Sequence, residues 1–319
     1  MILIPEVLTL LILNALFAFF ATLVFVQALK IYLQWDINSH SQTQYKLEKQ
    51  SYLSATIIKF IFSIKVPLFL FFIFTLDKLS DLLSGAMCGA GVVDATIYGN
   101  YLFALKILNI YLFAYWIALN HEDLKDPKQP YTKAKFGFFL ILYFLFISEI
   151  VLEFSMFNAI DVEDVVNCCG SIYSSTSKSY FATILSWDPS ILVGTFYTNY
   201  LFILTSYLLR FKYIFAFFNI TFIIVSLTTL ITFFGTYIYE LPSHHCPFCL
   251  LQSDYYYIGY FLYSFLFLGT FYAIYVGFIW TNHTSMEKHY KISFFFTSLY
   301  TFSVSFYPLW YYLQNGVFL

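Results

Sequence analysis

The chain has 319 residues, of which 60% are hydrophobic and only 11% charged, with a formal net charge of −2. A soluble domain carries about 25% charged residues, and no water-soluble fold of this size can bury so large an apolar fraction. The near-neutral charge gives no indication of a nucleic-acid partner. The composition therefore predicts an all-α integral membrane protein with the lipid bilayer as its solvent.

Apolar runs of about 20 residues, the length that crosses a bilayer core, follow one another along the chain. Eight such runs cover residues 5–29, 58–76, 101–119, 137–157, 191–209, 214–238, 256–280 and 292–313. No Gly/Ser-rich linker, low-complexity segment or repeat separates them. We therefore predict a polytopic bundle of about eight transmembrane helices, forming a single integral membrane domain over residues 1–319.

The connections between these runs alternate in charge. One set carries eleven basic residues: Lys30, Lys46, Lys49, Lys125, Lys128, Lys133, Lys135, Arg210, Lys212, Lys288 and Lys291. The other set carries only Lys78 and Lys178, together with eight acidic residues. Because basic residues mark cytoplasmic loops, both termini are predicted to lie outside the cytoplasm. The acidic loops are then periplasmic, in a bacterial inner membrane.

All five cysteines fall in the acidic, non-cytoplasmic loops. Cys88 follows the second predicted helix, Cys168 and Cys169 are adjacent after the fourth, and Cys246 and Cys249 follow the sixth. Cysteine often packs as a small hydrophobe, but these loops are rich in Gly, Asn and Ser, so packing explains the cysteines poorly. An oxidising compartment is where disulfides persist. Redox exchange, structural disulfides and metal binding are the open interpretations.

The Cys-Pro-Phe-Cys segment at 246–249 has the spacing of a small disulfide at the start of a helix. Pro247 suits the first helical position, which places Cys246 at the N-cap. There, unpaired amide groups and the helix dipole would stabilise a thiolate. Cys246 is therefore predicted to be the exposed, attacking thiol, and Cys249, one turn deeper, the resolving thiol.

Residues 246–252, Cys-Pro-Phe-Cys-Leu-Leu-Gln, resemble the motif of the quinone-coupled disulfide oxidase DsbB, and are similar to that of the vitamin K epoxide reductase family. The resemblance spans residues 240–260. It implies electron exchange between this pair, a second cysteine pair, a soluble periplasmic partner of the thioredoxin fold and a quinone. It implies Gln252 as the quinone contact. Cys168 and Cys169 are the upstream candidate pair with Cys88 as an additional thiol, and their disulfide connectivity stays open.

The chain departs from the DsbB pattern in three respects. Ser253 and Asp254 follow Gln252, where DsbB-like proteins carry an Arg soon after. Eight predicted helices are twice the usual number. No cysteine follows Cys249 in the sequence, so a shuttle pair has to come from upstream.

Metal binding is the alternative function. Four N and S ligands lie within six residues: His244, His245, Cys246 and Cys249. A soft set suited to Zn or Cu(I) would be extended by Met87, Cys88, Cys168 and Cys169. The chain would then be a metal-handling membrane protein or transporter. Metal binding requires thiolates, whereas a redox carrier should be isolable as a disulfide.

Ionisable residues also lie within the predicted helices. Lys106 and Glu149 occur at overlapping depths, so we predict an ion pair between them. For Lys65 and Glu153, extension of the side chain towards the membrane surface is the simpler interpretation. Ionisable groups at membrane depth usually mark function. A proton path serving quinone reduction and a transport pathway are the two uses left open for these residues.

Overall fold

The computed structural model describes residues 1–36, 39, 41–161, 165–166, 187–279 and 283–319, with the backbone alone at 283–285. Within these residues the elements are helices, and no β-strand occurs. The all-α fold class is therefore confirmed. The chain, predicted as one membrane domain, contains two compact units in this structure, and each is described by itself.

Unit 1 comprises residues 1–84 and 92–166. Its long helices are α1 (Pro5–Gln34), α2 (Gln42–Ser80), α4 (Gly99–Asp123) and α5 (Thr132–Ala159), and the short α3 (Gly89–Asp94) begins in unit 2 and ends in unit 1. Helix α1 packs on α2, α2 on α4 and α4 on α5, and α5 returns to α1. The four long helices thus form a closed ring around one interior.

Unit 2 comprises residues 85–91 and 167–319. Its helices are α6 (Pro189–Leu208), α7 (Lys212–Thr229), α8 (Gly235–Tyr239), α9 (Ile258–Phe278) and α10 (His283–Asn315), with a π-helical turn at Leu230–Phe234 between α7 and α8. The order of packing is again a ring, because α6 contacts α7, α7 contacts α9, α9 contacts α10 and α10 returns to α6. The π-helical turn interrupts the predicted run 214–238.

Seven helices in the described part of the chain are long and apolar enough to cross a membrane: α1, α2, α4, α5, α6, the stretch Lys212–Tyr239 and α9. Large apolar side chains are exposed on their outer faces, for example Phe19, Phe144 and Ile224. Such faces require lipid, because apolar surface of this extent is unfavourable in water. Helices can span the bilayer because they satisfy their own backbone hydrogen bonds. The chain is therefore a multi-pass membrane protein. The eighth predicted run, 292–313, forms most of α10. Ser, Thr and Tyr residues among its Phe residues lower its mean hydropathy, so α10 is not one of these seven helices.

Two of the helices, α2 and α6, begin at a capping side chain. The Ser41 hydroxyl accepts a hydrogen bond from the Gln44 amide at 3.2 Å, and the Asp188 carboxylate accepts one from the Ser190 amide at 2.8 Å. Capping side chains of this type satisfy amide groups that have no partner within the helix. Pro189 follows Asp188 in the first turn, where its missing N–H costs nothing.

Aromatic side chains fill much of each interior. In unit 1, Phe62 stacks on Phe113 with ring centroids 4.1 Å apart. In unit 2, α9 and α10 approach so closely that a Cβ at Gly269 would lie 2.5 Å from Thr297 Oγ1. Small residues allow such approach between membrane helices. The polar groups described below are therefore held in tightly packed surroundings.

Candidate functional site

The loop between α8 and α9, residues 240–257, carries the Cys-Pro-Phe-Cys segment. Glu240 ends α8 at a φ of 53°, and Tyr256 and Tyr257 precede α9 at φ values of 53° and 56°. Non-glycine residues in this left-handed region cost about 1–3 kcal/mol each, and such strain is concentrated at functional sites. Strained residues at both ends indicate that the surrounding packing holds this loop in one shape.

Three cysteine sulfurs meet inside unit 2. Cys88 Sγ lies 3.4 Å from Cys246 Sγ, and the sulfurs of Cys88, Cys246 and Cys249 all lie within 4.8 Å of one another. The three residues are 0%, 1% and 5% exposed, respectively. A disulfide bond is about 2.0 Å long, so at 3.4 Å the two sulfurs are in contact but not bonded. We define these three residues as the thiol cluster.

The predicted N-cap position of Cys246 is wrong. The loop forms 3₁₀ turns at Cys249–Leu251 and Ser253–Tyr255, and α9 begins only at Ile258. Gln252 between the turns is extended, with φ −87° and ψ 162°, which stops the first turn from continuing into α9. The helix dipole therefore does not act on Cys246. The predicted exposure of Cys246 is also wrong, because the residue is buried.

The first 3₁₀ turn packs against the start of α9. A Cβ at Gly259 would lie 2.9 Å from the backbone carbon of Leu250, so only glycine permits this approach. Two tyrosines hold the backbone of the segment as well. The Tyr239 hydroxyl donates to the carbonyl of Cys246, and the Tyr263 hydroxyl donates to the carbonyl of Pro247 at 2.8 Å. Residues from α8 and α9 thus hold the backbone carbonyls of Cys246 and Pro247, respectively.

Gln252, predicted as a quinone contact, lies where the two cysteine-bearing loops meet. Its side-chain amide donates to the Met87 carbonyl at 3.5 Å, a long hydrogen bond. Met87 immediately precedes Cys88, so this contact helps to hold Cys88 beside Cys246. The next aromatic residue, Tyr255, has its pKa raised by burial and further by the neighbouring Cys249, so its phenol is neutral near neutral pH.

The two histidines do not join the thiol cluster. His245 Nδ1 lies 2.9 Å from the carbonyl oxygen of Ile231, within the π-helical turn. The His244 ring packs edge-on against Tyr239, with centroids 4.4 Å apart. The predicted ligand set of both histidines with Cys246 and Cys249 is therefore replaced, among the described residues, by the thiol cluster with Cys88.

The remaining predicted site residues are Cys168 and Cys169. Both lie outside the residues that the structure describes. Their predicted pairing, with each other or with Cys88, stays a prediction.

Unit 1 contains a second polar centre, built from charges. Lys106 Nζ lies 3.0 Å from Glu149 Oε1 and 2.5 Å from Glu153 Oε2, and Lys65 Nζ lies 2.8 Å from Glu149 Oε1. All four side chains are at most 5% exposed. The predicted Lys106–Glu149 pair is confirmed. We call these four residues the ion network.

Lys65 and Glu153 do not extend to the surface as predicted, because partners inside unit 1 compensate their charges. Asn14 accepts a hydrogen bond from Lys65 at 3.1 Å and donates one to Glu153 at 2.8 Å. Asn109 donates to Glu149 Oε2 at 2.6 Å. Sequence reasoning missed both asparagines, although an isolated Asn within an apolar run was a usable signal.

A further buried ion pair lies at the other end of α4 and α5. Lys135 Nζ is 2.7 Å from Asp123 Oδ2, and both residues are at most 1% exposed. The Asn120 side-chain oxygen also accepts a hydrogen bond from Lys135, at 3.0 Å. Lys135, taken from the sequence as a loop cation, is thus part of the interior of unit 1.

In comparisons with known proteins, no family model, no curated protein and no solved structure matches the chain. Function is therefore argued from the thiol cluster and its surroundings.

Proposed function

We propose that unit 2 carries a membrane thiol–disulfide exchange centre with Cys246 at its middle. The observation that carries this proposal is the 3.4 Å separation of Cys88 Sγ and Cys246 Sγ, with Cys249 in the same cluster. Cys246 thus has a sulfur neighbour from another loop in addition to its motif partner. The four-helix ring of unit 2 supports the proposal too, because the resembled oxidase has half the predicted eight helices.

The proposed reaction is an exchange between two alternative disulfides. Starting from a Cys246–Cys249 disulfide, the Cys88 thiolate attacks Cys246 Sγ, and the Cys249 thiolate leaves. The product is a Cys88–Cys246 disulfide. This step changes which thiol is released and leaves the overall oxidation state unchanged.

Net oxidation requires an external acceptor. Forming one disulfide from two thiols releases two electrons and two protons, which would reduce a quinone to a quinol. Gln252 is the residue that we assign to the quinone contact, by resemblance. In the opposite half-reaction, a thiol partner of the thioredoxin fold would be oxidised and its two electrons would pass to the cluster.

Burial of the cluster determines how such a partner would reach it. Cys246 is 1% exposed, and an incoming disulfide requires an accessible attacking sulfur. We therefore assign the contact with the soluble partner to Cys168 and Cys169, and the internal transfer to Cys88, Cys246 and Cys249.

Counting thiols with and without reductant tests the proposal. Protein denatured in an alkylating reagent should show a disulfide between Cys246 and either Cys88 or Cys249 when its peptides are mapped by mass spectrometry. Reduction before alkylation should release both sulfurs. Full alkylation of all five cysteines without reductant, in protein purified in air, would contradict redox exchange.

A metal site is the second candidate, favoured by the mutual spacing of the three sulfurs. Two sulfurs on one zinc ion lie at most about 4.6 Å apart, since a Zn–S bond is about 2.3 Å long. The cluster spacing of up to 4.8 Å therefore needs only a small adjustment. Three thiolates suit Zn or Cu(I). Elemental analysis of protein purified anaerobically should find one metal ion per chain under this alternative, and none that depends on Cys246 under the redox proposal.

We also propose that the cysteine loops face the periplasm and that both termini lie outside a bacterial inner membrane. The lysine asymmetry supports this orientation. Reporter fusions after Lys128 and after Ser243 should give cytoplasmic and periplasmic activity, respectively. The reverse pattern would place the thiol cluster on the reducing side of the membrane and remove the basis for stable disulfides there.

A further inference from the structure

Unit 1 has a cavity of about 200 Å³ between α2, the end of α4 and the start of α5. A water molecule takes up about 30 Å³ in the liquid, so the volume is sufficient for a compact polar group. Its lining is largely apolar, with Ala55 and Leu124 among its residues, but it also includes polar and charged residues: Ser51, Tyr52, Thr56, Lys59, Asn120 and Lys135. The cavity is separate from the ion network, whose residues do not line it.

The charge balance of this cavity is positive. The ammonium of Lys135 is paired with Asp123 at 2.7 Å, so those two charges compensate each other. Lys59 lines the same cavity, is exposed, and has no ion-pair partner in the described part of the chain. One uncompensated cation beside hydroxyl and amide groups favours an anion with several oxygen acceptors.

The position of the cavity along the helices indicates where such an anion would come from. The apolar runs end or begin at residues 58, 119 and 137. Lys59, Asn120 and Lys135 each lie within two residues of one of these boundaries. The cavity is therefore at the height where phospholipid headgroups meet the hydrocarbon core. Basic pockets between transmembrane helices at this height bind anionic headgroups.

Backbone strain supports a binding role. Gln129, in the connection between α4 and α5, lines the cavity and has a φ of 46°. A non-glycine residue in the left-handed region costs about 1–3 kcal/mol and is characteristic of ligand sites. The side of the cavity formed by this connection is therefore held in a specific, strained shape.

We propose that this cavity binds a phosphate group, with Lys59 as its principal cation, and that an anionic phospholipid supplies that group. The hydroxyls of Ser51 and Thr56 already donate to helix carbonyls at 2.8 Å, so they shape the cavity and are not donors to the phosphate. The ammonium of Lys59 supplies the uncompensated charge.

Native mass spectrometry of the full chain tests the site, with phosphatidylglycerol, phosphatidylcholine and inorganic phosphate as probes in separate experiments. The wild type should retain one phosphatidylglycerol in preference to phosphatidylcholine. In K59Q the affinity should fall by about fivefold, the factor for one lysine near a charged lipid surface. K46Q is the matched control, because Lys46 is exposed on the same helix but does not line the cavity.

The separate probes distinguish the two sources of the phosphate group, an anionic phospholipid and free phosphate. Retention of inorganic phosphate that depends on Lys59 would support the phosphate site and identify a soluble ligand as its source. Equal retention of both lipids, or an equal effect of K59Q and K46Q, would overturn the proposal. The variant T56L fills the cavity without changing its charge. If T56L retained phosphatidylglycerol like the wild type, the lipid would be held by surface charge alone, which would also overturn it.

Discussion

The two four-helix units place polar groups inside a membrane protein in different ways. The interior of unit 1 holds two lysines and two glutamates in direct contact, with Asn14 and Asn109 bonded to them. In unit 2, hydroxyl and amide groups bond mainly to helix carbonyls. Ser293 donates to Gly269 at 2.6 Å, and Asn219 donates to Phe215 at 2.9 Å.

Because of this difference, substitutions in the two units should affect different properties of the protein. A buried charge is tolerated only while its partner is present, so the ion network makes the packing of unit 1 depend on each of its charges. Hydroxyl-to-carbonyl bonds are neutral and mostly local, and the described part of unit 2 contains no buried charged side chain. Charge substitutions in unit 1 should therefore reduce stability, whereas thiol substitutions in unit 2 should change redox behaviour.

The largest expected effect is the loss of all cluster disulfides in Cys246→Ser. Cys246 is the sulfur that both proposed disulfides share, so the variant should form neither. Cys88→Ser should leave only the Cys246–Cys249 disulfide, and Cys249→Ser only Cys88–Cys246. Peptide mapping without reductant measures all three outcomes.

A double variant tests whether Cys88 acts on Cys246. In Cys249→Ser alone, Cys88 is close enough to resolve an adduct on Cys246. Only Cys88→Ser combined with Cys249→Ser should therefore accumulate a mixed disulfide between Cys246 and another thiol. Accumulation in the single variant Cys249→Ser would show that Cys88 does not act on Cys246, against the geometry.

The next largest effect is expected in the ion network. Lys106→Met should destabilise unit 1 by about 3–5 kcal/mol, because it leaves Glu153 with a buried charge and no lysine within bonding distance. Adding Glu149→Gln should restore part of this loss, since Lys65 and Glu153 then remain as one positive and one negative group bridged by Asn14. Unfolding in detergent measures both variants.

An exposed pair provides the control for that experiment. Lys291 contacts Glu287 one turn away on α10, and both side chains are more than half exposed. Lys291→Met should cost about 1 kcal/mol or less. Small additive effects of Lys106→Met and Glu149→Gln would mean that water reaches the ion network and that the comparison between the units is wrong.

Sequence reasoning was effective where one segment carried the whole signal. Apolar length predicted the helices, and the depth of Lys106 and Glu149 along neighbouring helices predicted their contact. It failed where distant segments had to meet. Cys88 and Cys246 are 158 residues apart, and no local pattern indicates that their loops touch.

The error at Cys246 has a local cause that the sequence conceals. A proline after a cysteine suggests the first turn of a helix, but the loop instead contains left-handed tyrosines at 256 and 257. Glycine or asparagine normally marks such positions, so tyrosine gives no warning. Likewise, the prediction that Lys65 reaches the surface was wrong. Its hydrogen-bond partner Asn14 lies on a different helix, so the sequence around Lys65 does not show it.

A smaller effect is expected where Tyr263 holds the thiol cluster in place. Tyr263→Phe leaves the Pro247 carbonyl without its donor and should cost about 1–3 kcal/mol. Looser packing of the loop should also make Cys246 react faster with a thiol reagent in the reduced protein. Tyr213→Phe is the matched control, because Tyr213 is 65% exposed. Equal alkylation rates in both variants would show that the hydrogen bond does not position Cys246.

The smallest effect is expected at the ion pairs of unit 2. It tests whether the stability of unit 2 is independent of charge, as the comparison of the two units implies. Glu287 lies 3.0 Å from Lys291 and 3.6 Å from Arg210, with all three side chains about half exposed. In water and salt such charges are screened, and ordering the long side chains offsets their attraction. Glu287→Gln should therefore leave the unfolding midpoint unchanged at low and high salt, whereas Glu149→Gln in unit 1 should lower it at both. A large, salt-sensitive loss in Glu287→Gln would show that unit 2 depends on charge to join α10 to the α6–α7 connection, and the two units would then differ only in where their charges lie.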